Sequence, residues 1–167
     1  MAKLIRPFRS GTTRQQRKEP AVPRRTLTLE QLSDRFEIQD LVTRYAIAID
    51  TEDWDLLDTC FLPDAWVDYE SSGGIKGHYP EVRSWLAKVL PNLKNKMHMV
   101  APPHVKKLDA DAASTRTYLH NPNSFPKADG QPFYMTVSGY YEDDLVRTDT
   151  GWRIAKRVEA QLVRQDT

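Results

Sequence analysis

Four histidines and an aspartate at a helix end carry most of the chemistry this sequence could do. Taking a proton from carbon beside a carbonyl or a leaving group at neutral pH needs a base that titrates there. Histidine is that base. The candidates are His78, His98, His104 and His120. His78 follows Gly77 where a loop meets a helix, and His104 follows Pro102-Pro103; both read as structural or exposed. His98 stands between Met97 and Met99, so in a strand its side chain faces away from theirs. The four are scattered without metal-ligand spacing, and no metal site is expected. Among the acids, Asp50 closes a long amphipathic pattern. An acid near a helix C-terminus opposes the macrodipole by about 0.3–1 kcal/mol, a hint that something else keeps it there. A carboxylate on one ring nitrogen of a histidine fixes its tautomer and stabilises the imidazolium.

The elements that must position these groups follow from the hydrophobic pattern. Thr28 and Gln31 fit a capping box. They open a helix to about Asp50, with Leu29, Leu32, Phe36, Leu41, Val42, Tyr45 and Ile49 near helical spacing. Asp53 caps a short second helix, Trp54 to Phe61, ended by Pro63-Asp64. Ala65 to Glu70 reads as a strand and Ser71-Ser72-Gly73-Gly74 as a turn. Pro80 suits the first turn of a third helix that ends before Pro91.

Beyond residue 95 the period becomes extended. Met97 to Leu108 is strand-like but broken at Pro102-Pro103. Ala112 to His120 forms the next strand, Asn121 to Gln131 a loop, and Phe133 to Arg147 a long strand bending at Gly139. Asp149-Thr150-Gly151 turns the chain into the last strand. There Trp152, Ile154, Val158, Ala160 and Leu162 share one parity and are expected on the apolar face. Three helices followed by a meander make an α+β domain, the first helix lying across a curved antiparallel sheet. Sheet and helices close a cone with a pocket suited to a small apolar ligand.

Composition bounds the rest. The 167 residues are 40% hydrophobic and suit one domain. The net charge of +1 hides a split. Residues 1–25 hold eight basic residues and one acid, while the remainder carries 16 basic and 22 acidic. With Pro7, Pro20, Pro23 and Gly11, residues 1–26 read as a disordered basic tail ahead of a domain at 27–167. That tail is expected to be solvated, with no specific nucleic-acid partner. The longest wholly apolar stretch, Tyr45 to Ile49, is far short of a membrane span. The single cysteine, Cys60, excludes an internal disulfide and reads as a buried thiol in a reduced compartment. A cytoplasmic location is expected.

Several segments together resemble a known family. Tyr45-Ala46-Ile47-Ala48-Ile49-Asp50, Asp53-Trp54-Asp55 and Phe61-Leu62-Pro63-Asp64-Ala65 are similar to the opening of the SnoaL-like branch of the NTF2-like superfamily. Met97-His98-Met99-Val100, Gly139-Tyr140-Tyr141 and Gly151-Trp152-Arg153-Ile154 follow in the family's order. The resemblance covers residues 27–165 and implies the NTF2-like cone. Within the branch, the pattern is similar to scytalone dehydratase and hexachlorocyclohexane dehydrochlorinase. That likeness implies an Asp–His dyad at Asp50 and His98, with His98 taking a proton from carbon and Asp50 orienting the ring. It implies a lyase or isomerase without cofactor, acting on a small hydrophobic ring compound, and a homodimer or homotrimer.

The same likeness offers Tyr69, Tyr45, His120 and Arg153 as substrate-binding residues, with Arg157 an alternative to Arg153 on the last strand. Trp85 and the loop at Phe125 are expected at the pocket mouth. Ile49 departs from the dehydratase pattern, which has Tyr directly before its Asp, and Tyr45 departs from the dehydrochlorinase, which has Lys there. Two other readings stay open. One is a non-catalytic accessory subunit like the small subunit of ring-hydroxylating dioxygenases. The other is a polyketide cyclase or ketosteroid isomerase with an Asp base.

Overall fold

The computed structural model describes residues 26–166. The expected basic tail lies almost wholly outside the described residues.

Helix α1 spans Leu29–Thr51. Its capping box forms as expected: Thr28 Oγ1 accepts from the Gln31 amide and Gln31 Oε1 from the Thr28 amide, both at 3.1 Å. The buried face is Ile38, Leu41, Val42, Tyr45, Ala48 and Ile49. The first two turns depart from the expected stripe. Leu29 and Phe36 are 86% and 64% exposed, whereas Asp34 points inward. Asp34 accepts hydrogen bonds from Arg147 and from Trp152 Nε1. The polar anchor, rather than the apolar pattern, sets the phase there.

Helix α2 (Trp54–Asp58) is shorter than expected. Phe61 belongs to strand β1 (Phe61–Asp68), stacked on Tyr79 with ring centroids 4.6 Å apart. Pro63 falls between Phe61 and Trp66, where the ladder with the last strand is interrupted and no proline N–H is needed. A 3-10 turn at Glu70–Ser72 leads to β2 (Lys76–His78) and α3 (Tyr79–Val89). Short strands β3 (Asn95–Lys96), β4 (Met99–Val100) and β5 (His104–Leu108) flank the Pro102-Pro103 break. Three long strands follow: β6 (Ala112–Pro126), β7 (Pro132–Thr148) and β8 (Gly151–Asp166).

One sheet results, ordered β2-β1-β8-β7-β6-β3, with β4 and β5 also paired to β6. The expected antiparallel sheet needs one correction: β1 runs parallel to β8. A second concerns residues 121–126, which are strand rather than loop and pair with β7 down to Pro126↔Pro132. Length overrides the turn-like Asn and Pro composition here, because β7 supplies a full ladder opposite.

A third correction changes the site. The β7–β8 register shifts between Asp144 and Leu145, leaving Ala155 as an extra residue in β8. Trp152 and Ile154 face the core, but beyond the bulge it is Arg157 and Glu159 that turn inward. Val158, Ala160 and Leu162, expected inside, lie on the other face. At Gly139 the register shifts again, and a Cβ there would sit 2.1 Å from the Ala160 carbonyl oxygen, so the strand crossing requires glycine. The curved sheet, closed by α1 and α3, forms the expected cone. No helix among the described residues is long and apolar enough to cross a membrane.

Candidate active site

Asp50 lies in the last turn of α1, and His98 in the bend between β3 and β4. Both oxygens of Asp50 are used on that one residue. Oδ1 accepts from His98 Nδ1 at 2.6 Å and Oδ2 from the His98 backbone N–H at 2.8 Å. The carboxylate thus fixes both the backbone and the ring of the histidine. Because an ionised carboxylate only accepts, Nδ1 carries the proton and Nε2 presents a lone pair. The Asn121 amide nitrogen lies 3.0 Å from that Nε2 and donates to it. The His98 side chain is 7% exposed and that of Asp50 23%. Partial burial works against the Asp50 charge. The ring and backbone hydrogen bonds from His98, with the nearby Lys96 charge, outweigh it and hold the carboxyl below its ordinary value.

A second tie runs parallel to the first. Lys96 Nζ donates to Glu52 Oε1 at 2.6 Å, joining the residue two before His98 to the residue two after Asp50. Glu52 caps α1 in the left-handed region, at φ 57°. The end of α1 is thereby riveted to the β3–β4 segment at two points.

His98 opens onto a cavity of about 310 Å³. Trp85, Leu86 and Val89 of α3 form one wall. The concave sheet supplies Asn121, Asn123, Phe125, Tyr141 and Glu159. Beneath them, the hydroxyls of Tyr45 and Tyr69 are bonded at 2.9 Å. Burial, first among the causes, pushes the Tyr45, Tyr69 and Tyr141 phenols above their ordinary value, so they are neutral donors. Arg157 supports this floor, its guanidinium carbon 4.0 Å from the Tyr45 ring centre and 4.1 Å from that of Tyr141. Two bonds of 2.7 Å to Asp143 neutralise it, with neither side chain exposed.

Six of the eight expected site residues therefore gather at the cavity. His98, Tyr45, Tyr69, Trp85 and Phe125 line it, and Asp50 holds His98 from behind. Two do not. His120 has the opposite parity to Leu119 and Asn121 on β6; it is exposed and pairs through Nδ1 with Ser138 Oγ. Arg153 lies before the β8 bulge, where its guanidinium donates to Thr150 Oγ1 and the Trp152 carbonyl, away from the cavity. Asn121, Asn123 and Glu159 were not foreseen. The two asparagines were hidden in a presumed loop, and Glu159 lay on the parity opposite to the apolar residues of its strand. Among the described residues no three His, Cys, Asp or Glu side chains cluster as a metal site would require.

The sequence matches the SnoaL-like domain family over residues 30–158. The chain belongs to the SnoaL-like family. An uncharacterized protein of Mycobacterium tuberculosis is 42% identical over 138 residues, covering 83% of this chain and 92% of its own. Among solved structures, a provisionally designated aromatic ring hydroxylase from Novosphingobium aromaticivorans superposes with a TM-score of 0.73 at 29% identity, over 81% of this chain and 94% of the other. A hexachlorocyclohexane dehydrochlorinase from Novosphingobium barchaimii gives 0.68 at 17% identity, over 83% and 93%. At that identity the last likeness concerns the fold. In this SnoaL-like chain the α1 aspartate and the histidine after β3 meet at the cavity wall.

Proposed function

We propose that this SnoaL-like protein is a cofactor-free lyase or isomerase that removes a proton from carbon in a small hydrophobic ring compound. His98 is the base, acting through Nε2, and Asp50 orients the ring and stabilises the imidazolium that forms. The observation that carries this reading is the double hydrogen bond from His98 to Asp50, which turns Nε2 toward a largely apolar cavity, where the Asn121 amide holds its lone pair until a substrate C–H displaces that one neutral hydrogen bond. General-base catalysis by a positioned imidazole is worth about 10²–10⁴-fold. A cavity of about 310 Å³ accommodates a one- or two-ring molecule, at the small end of ligand pockets.

The same geometry weighs against the other two readings. An Asp base needs a carboxylate oxygen free to meet the substrate, and both Asp50 oxygens are engaged by His98. An accessory subunit has no need of an aspartate–histidine contact or an open cone. The ring-hydroxylase designation of one structural relative agrees with an aromatic ligand in either case. The test is a binding and turnover screen of hydrophobic ketones and halogenated ring compounds on wild type, His98→Ala and Asp50→Asn. Turnover by wild type that collapses in both variants supports the assignment; equal turnover in all three overturns it.

A further inference from the structure

The cavity holds a second titratable group that the proton-abstraction step does not use. Glu159 is 8% exposed and lines the cavity that His98 opens onto. The 3-10 turn before β2 fixes its place: Ser71 Oγ donates to the Glu159 carbonyl at 2.6 Å and accepts from the Gln161 amide at 3.0 Å. Among the described residues no cation hydrogen-bonds the side chain. Arg157, two residues earlier, is committed to Asp143 by both of its bonds. The remaining groups facing Glu159 are His98 and the phenols of Tyr45, Tyr69 and Tyr141.

Among the described residues one side chain bonds the carboxyl, and its single proton is shared. Ser72 Oγ lies 3.1 Å from Glu159 Oε2 and 3.0 Å from the Tyr69 carbonyl oxygen. A serine hydroxyl has a single proton and cannot serve two acceptors at once. Ser72 therefore divides its proton between Glu159 Oε2 and the Tyr69 carbonyl and gives a Glu159 carboxylate only part of one hydrogen bond. Burial pushes the carboxyl up, more than Ser72, His98 and Arg157 pull it down. An unpaired carboxylate at this depth would otherwise be costly.

We infer that Glu159 is the acid of the site, donating its proton to a departing oxygen of the substrate while His98 removes the proton from carbon. This rests on the catalytic reading of His98 and deepens it, since it names the substrate class. In the step, the C–H electrons form the new C=C bond as the C–O bond breaks. The Glu159 proton joins the leaving hydroxide to make water, and the proton on His98 returns to Glu159 through solvent. The net change is loss of water. A halide leaves as an anion without a proton, so an acid here selects β-hydroxy carbonyl compounds over halogenated ones.

Two measurements test this. Difference infrared spectra of wild type against Glu159→Gln at neutral pH should show one protonated-carboxyl stretch that the variant lacks; its absence overturns the inference. The second compares 3-hydroxy-1-phenylpropan-1-one with 3-chloro-1-phenylpropan-1-one, which give the same enone and differ only in leaving group. In Glu159→Gln, the ratio of hydroxyl to chloride elimination should fall about 10²-fold or more, the scale of general-acid catalysis. Circular dichroism and a thermal melt of Glu159→Gln check that the variant is folded. An unchanged ratio overturns the role of Glu159 while leaving His98 in place. Inertness of wild type toward both ketones, or His98→Ala matching wild type on both, overturns the proton-abstraction reading and this one with it.

Discussion

Replacing Asp50 by asparagine probes the dyad without changing its shape. Two donors on His98, the ring Nδ1–H and the backbone N–H, converge on the two carboxylate oxygens at 2.6 and 2.8 Å. Asparagine has one acceptor oxygen and one NH₂ group, so one donor must face another donor. The backbone N–H cannot tautomerise, whereas the imidazole can. The amide oxygen therefore takes the backbone N–H, and the ring moves its proton to Nε2 so that Nδ1 can accept from the new NH₂, the Asn121 amide turning its unpartnered Oδ1 to receive the Nε2–H. The base then has no lone pair toward the cavity. Losing an oriented, charge-stabilised imidazole costs about 10²–10⁴ in turnover, or roughly 3–5 kcal/mol of barrier. The fold should lose only about 1–2 kcal/mol, because one of two charge-assisted hydrogen bonds survives in neutral form. The assay is elimination from 3-chloro-1-phenylpropan-1-one, corrected for the buffer rate, with ¹⁵N NMR of the ring to read the tautomer. Turnover within about threefold of wild type, or an Nδ1–H tautomer retained in the variant, refutes the reasoning.

Other outcomes follow from neighbouring contacts. Because the Asp50 carboxyl is held below its ordinary value, its contribution to stability is full above about pH 4, the unfolded aspartate range, and is lost as pH falls through the lower folded value. Acid denaturation of Asp50→Asn followed by circular dichroism should show a shallower loss in that window. Arg157→Met should destabilise by about 3–5 kcal/mol in urea melts by stranding Asp143 in the core, and the double variant Arg157→Met/Asp143→Leu should recover much of this. Lys96→Met removes the buried ammonium bonded to Glu52 and should cost about 1.5–3 kcal/mol by thermal melt. It should also raise the Asp50 carboxyl in a ¹³C titration. Gly74→Ala places a Cβ 2.8 Å from Tyr69 Cβ and 3.0 Å from the Trp85 ring. It should weaken binding of aromatic ketones measured by tryptophan quenching, at a cost of about 1–3 kcal/mol in stability.

Much of the cone was legible because its signals are local. The Thr28–Gln31 box, the Asp53 cap and the Pro80 start each depend on a few adjacent residues, and all three helices begin where those residues stand. Strand parity was less legible because it is a property of pairs of strands. His120 was offered to the pocket by the family likeness, but a strand shows alternate residues to opposite faces, and Leu119 and Asn121 hold the inner positions. The start of α1 misled for a related reason. Leu29 and Phe36 satisfy the helical period, yet the partner that sets its phase, Arg147, lies 113 residues downstream of Asp34. Asp50 and His98 came from resemblance, and no spacing rule could have joined residues 48 apart.

The extra residue in β8 ties these strands of argument together. Up to Ile154 the even positions face the core, and had the alternation continued, Lys156 and Val158 would have pointed into the cone. Ala155 is the residue that β7 does not match, so the inner positions pass to Arg157 and Glu159. A bulge of this kind re-aims side chains at little cost to the ladder on either side. Arg157 is answered within the sheet by Asp143 and spends its faces on two tyrosine rings. Glu159 is bonded by Ser72 alone among the described side chains and turns its carboxyl to the cavity. His98 is held from the opposite direction, by the end of α1. The proposed base, fixed by a helix, and the proposed acid, fixed by a bulged strand, therefore face one space from two elements. Each is set by contacts the other does not share, which is why the two can be removed singly and their roles told apart.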